Sequence, residues 1–303
     1  MICENLQLRS NGYDLDMSDA CIGRYEDSSR LVGNTVALRR RMREEGHLYL
    51  PGWLDRQEVF EARRVVAERL AAVGFPHPDH AVIDAGSAPE YDGATAHQCV
   101  QHCPALEKLL YSGRMIDIFG QILGTAVAHF DWTWLRAISP GAATPTHCDV
   151  VYMGRGAQQN LYTAWTPLGD IDLAMGGLMI LERSHCHERL RRTYCTRDVD
   201  AYCENQPSGE RNRTAFGTNG TLAPNPHRVR RTLGGRWLVG QFQAGDLIIF
   251  NVFMVHGGLE NQSNRLRLST DTRYQPADEL RDERWIGHDP ITHGPAAKRG
   301  MVC

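Results

Sequence analysis

A chain of 303 residues with 42% hydrophobic and 23% charged content has apolar material for a substantial core and the charge density of an ordinary globular protein. Its 33 basic and 36 acidic residues leave a net charge of −3, which offers nucleic acid and anionic membranes little to hold. No run approaches the roughly 18 apolar residues of a membrane span, and the opening MICENLQLRSNGYDL has no apolar leader core, so the expected location is the cytoplasm.

Nine cysteines in a reducing compartment are expected to stay as free thiols, mostly buried as small hydrophobes. Cys99-x-x-x-Cys103, with His97 and His102 beside it, has zinc-like spacing but no second pair to answer it, so structural zinc is not expected.

In chain order, the first clear signal starts at Leu48. LYLP reads as a short extended stretch ending in a turn. Asp55 with Glu58 three residues on forms a capping box. Val59, Ala62, Val65, Val66 and Leu70 then recur at helical spacing, and Gly74 is a stop. Residues 104–123, PALEKLLYSGRMIDIFGQIL, predict a second helical stretch broken at Ser112-Gly113. Past Gly124 the texture changes to short β-branched and aromatic runs: AVAHFDWTWLRAI, DVVYM, NLYTAWTPL, GGLMILE, GDLIIFNVFMV and RLRLSTDTRY. Such runs, punctuated by Gly, Pro and Asn, predict a β sandwich or barrel. Residues 186–236 break the pattern and read as a long loop or lid. The expectation is one domain over 1–303: a helical part to about 124, a β core over about 125–275 and a tail over 276–303.

Three His-x-Asp pairs stand out: His77-Pro-Asp79, His129-Phe-Asp131 and His147-Cys-Asp149. On a strand, residues two apart share a face, so each pair is a candidate for two metal ligands. Such pairs also arise by accident in a chain with 13 histidines and 36 acidic residues, and their neighbours must decide. His77 and Asp79 sit in a PHPDH loop, where solvated polar residues are the simpler reading. His129 and Asp131 compete from a predicted strand. Downstream of His147 and Asp149 comes a second histidine at the end of an apolar strand, His256 in AGDLIIFNVFMVHGG, and then Arg267 and Ser269 in RLRLS. Two His and one carboxylate on one side of Fe(II) leave positions open for a co-substrate and O2. A guanidinium fork beside a hydroxyl suits the far carboxylate of a small dicarboxylic acid.

The series His147-x-Asp149, His256, Arg267-x-Ser269 resembles the Fe(II)/2-oxoglutarate-dependent dioxygenases, and more narrowly the phytanoyl-CoA dioxygenase family. EEGHLYLPGWLDRQEV resembles that family's opening strand and helix. AWTPLGDIDLAMGGLMILERSH resembles its middle strands, and AGDLIIFNVFMVHGGLENQSNRLRLS its closing segment, so the likeness runs over about residues 44–275. The resemblance implies a mainly β fold with flanking helices around a double-stranded β-helix, the jelly-roll or cupin-like core. It implies His147, Asp149 and His256 as ligands of Fe(II), Arg267 with Ser269 as anchor of the 2-oxoglutarate 5-carboxylate, and O2 as oxidant. Trp165 is a core residue by composition, yet the resemblance puts its strand along the 2-oxoglutarate pocket. Arg136, on the strand before the ligands, is a candidate for the other end of 2-oxoglutarate or for the substrate.

The implied reaction hydroxylates a C–H bond of a small molecule while 2-oxoglutarate becomes succinate and CO2. Asp149 is present where related halogenases carry a small residue, so halogenation is not expected. Oligomeric state and substrate are not legible. Two rivals stay open at this point: a cupin-like metalloenzyme without 2-oxoglutarate, against which Arg267 and Ser269 speak, and a non-catalytic jelly-roll binding protein, against which a costly buried ligand set speaks.

Overall fold

The computed structural model describes residues 6–75, 84, 93–205 and 219–303. His77 and Asp79 lie outside the described residues. Two sheets form the core. One runs His47–Leu50, Leu247–Asn251, Tyr162–Pro167, Arg267–Pro276, each antiparallel to the next. The free side of Arg267–Pro276 is shared by Trp134–Ile138 and Val127–His129. The other sheet orders His256–Gly258, Leu178–Leu181, Trp237–Val239 and Ile22–Arg24. Residues from both sheets, among them Trp165, Leu178, Ile180, Ile248 and Phe250, pack as one apolar filling between them.

Strand periodicity sorts the side chains. Ile248 and Phe250 enter that filling, while Leu247 and Ile249 join the apolar layer under the helices. Helices Thr35–Glu45, Arg56–Ala72, Pro104–Tyr111 and Gly113–Leu123 supply the rest of the layer through Leu38, Val59, Leu106 and Ile118. Phe119 stacks on Tyr274 at 4.0 Å, tying the last of these helices to the longest strand. The sheet-rich core with flanking helices is the expected jelly-roll class.

Local signals act where the sequence placed them. The Asp55 carboxylate accepts from the backbone N–H of Gln57 at 2.8 Å and of Glu58 at 3.1 Å, capping Arg56–Ala72. Gly74 takes the left-handed φ of 87° that stops this helix cheaply. The break at Ser112 is real, because this residue is extended and separates two helices.

Three expectations need correction. DVVYM is not a strand: Val150–Met153 is a short helix that Asp149 opens. The 186–236 segment is not a plain loop, since it carries helices Glu188–Arg192 and Pro226–Leu233 and the strand Ala201–Cys203. His187 and Asn225 accept the N-terminal amides of those helices, which is why polar text hides helical structure there. Nor do all thiols stay free. Arg299–Met301 pairs in parallel with Ala201–Cys203, and this register brings Cys303 to Cys203 as a disulfide. Cys21, Cys103, Cys148, Cys186 and Cys195 remain free thiols.

The bridge closes a loop of sequence separation 100, so it restricts the unfolded chain considerably. Non-reducing peptide mapping is expected to recover Cys203 joined to Cys303. Cys303→Ser is expected to lower stability by about 2–4 kcal/mol in denaturant titration. An unjoined pair and an unchanged midpoint would refute the pairing.

Candidate metal centre and co-substrate cavity

Thr146 and His147 enter the core as a single rung rather than a full strand. His147 N–H donates to His256 O at 2.9 Å and His256 N–H returns to His147 O at 3.0 Å. A hydrogen-bonded antiparallel pair presents both side chains on one face, and the imidazole centroids lie 4.2 Å apart. Two residues on, the backbone turns into the Val150–Met153 helix, and this turn, not strand alternation, swings Asp149 towards the same point. Asp149 Oδ1 lies 3.5 Å from His147 Nε2 and 3.6 Å from His256 Nε2. All three residues are buried.

The tautomers are settled by the neighbours. His147 Nδ1 faces Pro145 O at 2.8 Å and His256 Nδ1 faces Met254 O at 3.1 Å. A carbonyl only accepts, so each Nδ1 carries the proton and each Nε2 offers a lone pair to the shared point. Burial, then the nearby His147, pull the His256 imidazole down to about 4, keeping it neutral. Burial pushes Asp149 up, but the Arg273 guanidinium beside it holds this carboxyl well below the usual carboxylate range. Two imidazoles and one carboxylate oxygen that converge within 4.8 Å form a donor set suited to Fe(II). Among the described residues the other such grouping, His102, His288 and Asp289, is exposed, and Cys99 and Cys103 belong to neither.

A narrow cavity leads from His147 and His256 past Trp165, Gly257 and Gly258 to Arg267. Arg267 is 2% exposed, and among the described residues its one side-chain hydrogen bond is from Nη1 to Ser269 Oγ at 3.2 Å, with Nε unpartnered. Burial depresses this guanidinium to about 10, partly offset by Asp271 and reinforced by Arg136. A Cβ on Gly258 would stand 3.8 Å from Arg267 Nη2, so the glycine keeps the end of the cavity clear. A buried cation with no carboxylate bonded to it among the described residues is costly, and a cavity that ends on it fits an anionic co-substrate. Trp165 packs edge-on against Phe242 at 4.7 Å and lines this cavity, so it is both a core residue and a wall. Arg136 is held by Asp271 at 2.5 Å and borders both this cavity and a wider one.

The wider cavity, about 450 Å³, opens on the other side of His147 and Asp149. Trp132, Trp134 and Trp285 give it apolar walls, with Tyr152, Thr292 and His293 at its polar edge. A cavity of about 570 Å³ between Arg39, Tyr162 and Arg191 contains none of the three converging ligands.

The competing pair is not brought here. His129 is half-buried, stacks on Tyr111 at 4.3 Å and turns Nδ1 to Phe130 O, while Asp131 accepts from Gly287 N–H. His185 is buried against Arg43 O and His187 caps a helix. Among the insert arginines, Arg189, Arg192, Arg228 and Arg231 are exposed. Sequence reasoning missed Thr163 and Arg273, both of which grip Asp149 Oδ2, at 2.5 and 3.0 Å. It also missed Trp285, Thr292 and His293, because nothing in a tail of mixed composition marks a cavity wall. Alternation along RLRLSTDTR would have found Arg273, which lies on the face of Arg267 and Ser269.

The fold is that of the jelly-roll oxygenases. It is similar to the non-haem α-ketoglutarate-dependent epimerase SnoN from nogalamycin biosynthesis, with a TM-score of 0.55 and 19% identity over 85% of this chain and 92% of that one. It is also similar to EctD from S. alaskensis, with a TM-score of 0.54 and 12% identity over 97% and 98% of the two chains. The phytanoyl-CoA dioxygenase (PhyH) family model matches residues 42–269, and the chain belongs to that family. Relatives named 1-deoxypentalenic acid 11-beta-hydroxylase are 28% identical over 298 residues in Streptomyces exfoliatus and 27% over 297 in Streptomyces arenae, covering 91% of each chain in both cases. The protein is thus an Fe(II)/2-oxoglutarate-dependent oxygenase. No helix among the described residues is long and apolar enough to cross a membrane.

The lowered imidazoles set an acid limit on stability. His256 and His97 titrate near 4 when folded, chiefly through burial, against about 6.5 when unfolded. The unfolded chain therefore binds more protons between these values, so stability is full above pH ~6.5 and falls as pH drops towards 4. The Asp149 contribution is lost only below the ordinary carboxylate range. The metal-free melting temperature should fall between pH 7 and 4.5, and His256→Gln should make that slope shallower; an equal slope would refute the assignment.

Proposed function

We propose that this chain hydroxylates an aliphatic C–H bond of an apolar, carboxylate-bearing small molecule, with Fe(II) held by His147, Asp149 and His256. In this reading Arg267 and Ser269 receive the 5-carboxylate of 2-oxoglutarate, and Trp165 walls its carbon chain. With both bound, O2 converts 2-oxoglutarate to succinate and CO2 and leaves one oxygen atom for the substrate carbon. The observation that carries the reading is the buried Arg267, which has no ion pair among the described residues, at the end of a cavity that starts at His147 and His256.

The chain's own residues do the rest. The two Nδ1–H donors aim the imidazoles, and Asp149 supplies the single carboxylate. Trp132, Trp134 and Trp285 exclude water and orient an apolar body beside the centre. Three guanidiniums, Arg136, Arg267 and Arg273, face two carboxylates, Asp149 and Asp271, around the site. Fe(II) and the 2-oxoglutarate dianion cancel each other, so one positive charge is left for an acidic substrate, and Arg136 borders the substrate cavity. The relatives' names, which specify an acid, support the same class. The helical part, the core and the tail act as one domain here, since cavity walls come from the Gly93–Cys99 helix, the core strands and the tail.

Fe(II) and 2-oxoglutarate added without oxygen should give a visible charge-transfer band in wild type and His129→Ala. Asp149→Ala should lose it. Arg267→Ala should need at least about 30-fold more 2-oxoglutarate, because a buried partner of a carboxylate is removed. Iron-loaded wild type without a band would overturn the reading.

A further inference from the structure

The carboxylate of Asp149 is asymmetric in its surroundings. Oδ1 faces only the two Nε2 atoms, while Oδ2 accepts from Thr163 Oγ1 at 2.5 Å and from Arg273 Nη2 at 3.0 Å. Arg273 is 1% exposed, and its Nε and Nη1 have no hydrogen-bond partner among the described residues. Its guanidinium instead lies under the Trp134 ring, 4.6 Å from the centroid, and Trp134 lines the wider cavity. Thr163 and Arg273 are register partners on adjacent strands, so the grip is built from a single rung of the sheet.

We infer that Arg273 is a positioning residue of the iron centre: with Thr163 it occupies Oδ2 of Asp149 and so restricts this ligand to one oxygen. A carboxylate free to rotate offers both oxygens to a metal, and the second would fill a position that the co-substrate or O2 needs. Two hydrogen bonds on Oδ2, one of them charged, oppose that rotation. The guanidinium also draws electron density from the carboxylate, making Oδ1 a weaker donor. Trp134 holds the guanidinium from the cavity side, so the wall that meets substrate also supports the ligand's partner. This inference rests on the iron assignment above.

The test is an anaerobic titration of Fe(II) and 2-oxoglutarate into wild type, Arg273→Gln and Thr163→Val, reading metal affinity and the position of the charge-transfer band. Loss of the grip is expected to weaken metal binding about 10- to 100-fold. In Arg273→Gln the band should also move to longer wavelength, because a more strongly donating carboxylate raises the metal electrons in energy. Thr163→Val keeps the charge and should weaken binding with a smaller shift. A folded variant with wild-type affinity and an unmoved band, even if its metal-free melting temperature is lower, assigns these residues to folding alone and overturns the inference. Should Arg273→Gln fail to fold, Thr163→Val decides by the same criteria. Absence of the band in wild type would instead strike at the iron and 2-oxoglutarate reading.

Discussion

The inward row of the strand Arg267–Pro276 is the constraint around which the rest is arranged. Side chains alternate, so Arg267, Ser269, Asp271 and Arg273 share one face while Leu268 and Tyr274 lie under the helices. Every residue of this strand is buried, and an interior row of ions cannot stand without partners. Asp271 takes Arg136 from the neighbouring strand, and Arg273 takes Asp149. Arg267 takes only a hydroxyl. One strand thus carries the partner of Asp149, the partner of Arg136 and the Arg267–Ser269 pair along a single inward row.

That arrangement separates two jobs in space. The narrow cavity runs between His256 and Arg267. The wider cavity draws its walls from distant segments: the Gly93–Cys99 helix, the strand with Trp134, and the tail with Trp285 and His293. The tail is in turn secured to the 186–236 segment. Arg284 pairs with Asp198, Asp200 and Asp282, Lys298 pairs with Asp200, and Cys303 bonds to Cys203.

Much of this was legible in the sequence where local chemistry and periodicity agree. The Asp55 cap, the break at Ser112 and the apolar strand ahead of His256 were all visible. The spacing of His147, Asp149, His256 and Arg267 pointed to residues that the fold does bring together. What failed did so for physical reasons. Asp149 shares a face with His147 through a turn into a helix, which strand alternation cannot anticipate. The Cys203–Cys303 pairing depends on a parallel register between segments about a hundred residues apart. Arg273 sat in plain view on the face of Arg267, but its partner is a ligand more than a hundred residues upstream. His129 and Asp131 share the His-x-Asp spacing, but His129 stacks on Tyr111 and the pair does not converge with His256.

The most direct measurement is a crystal structure of the protein with Mn(II) and 2-oxoglutarate, grown without oxygen. The account predicts the metal on His147 Nε2, His256 Nε2 and Asp149 Oδ1, and the 5-carboxylate of 2-oxoglutarate on Arg267 and Ser269. Metal bound at His102, His288 and Asp289 instead, or a 2-oxoglutarate carboxylate that leaves Arg267 without an anion, would contradict it.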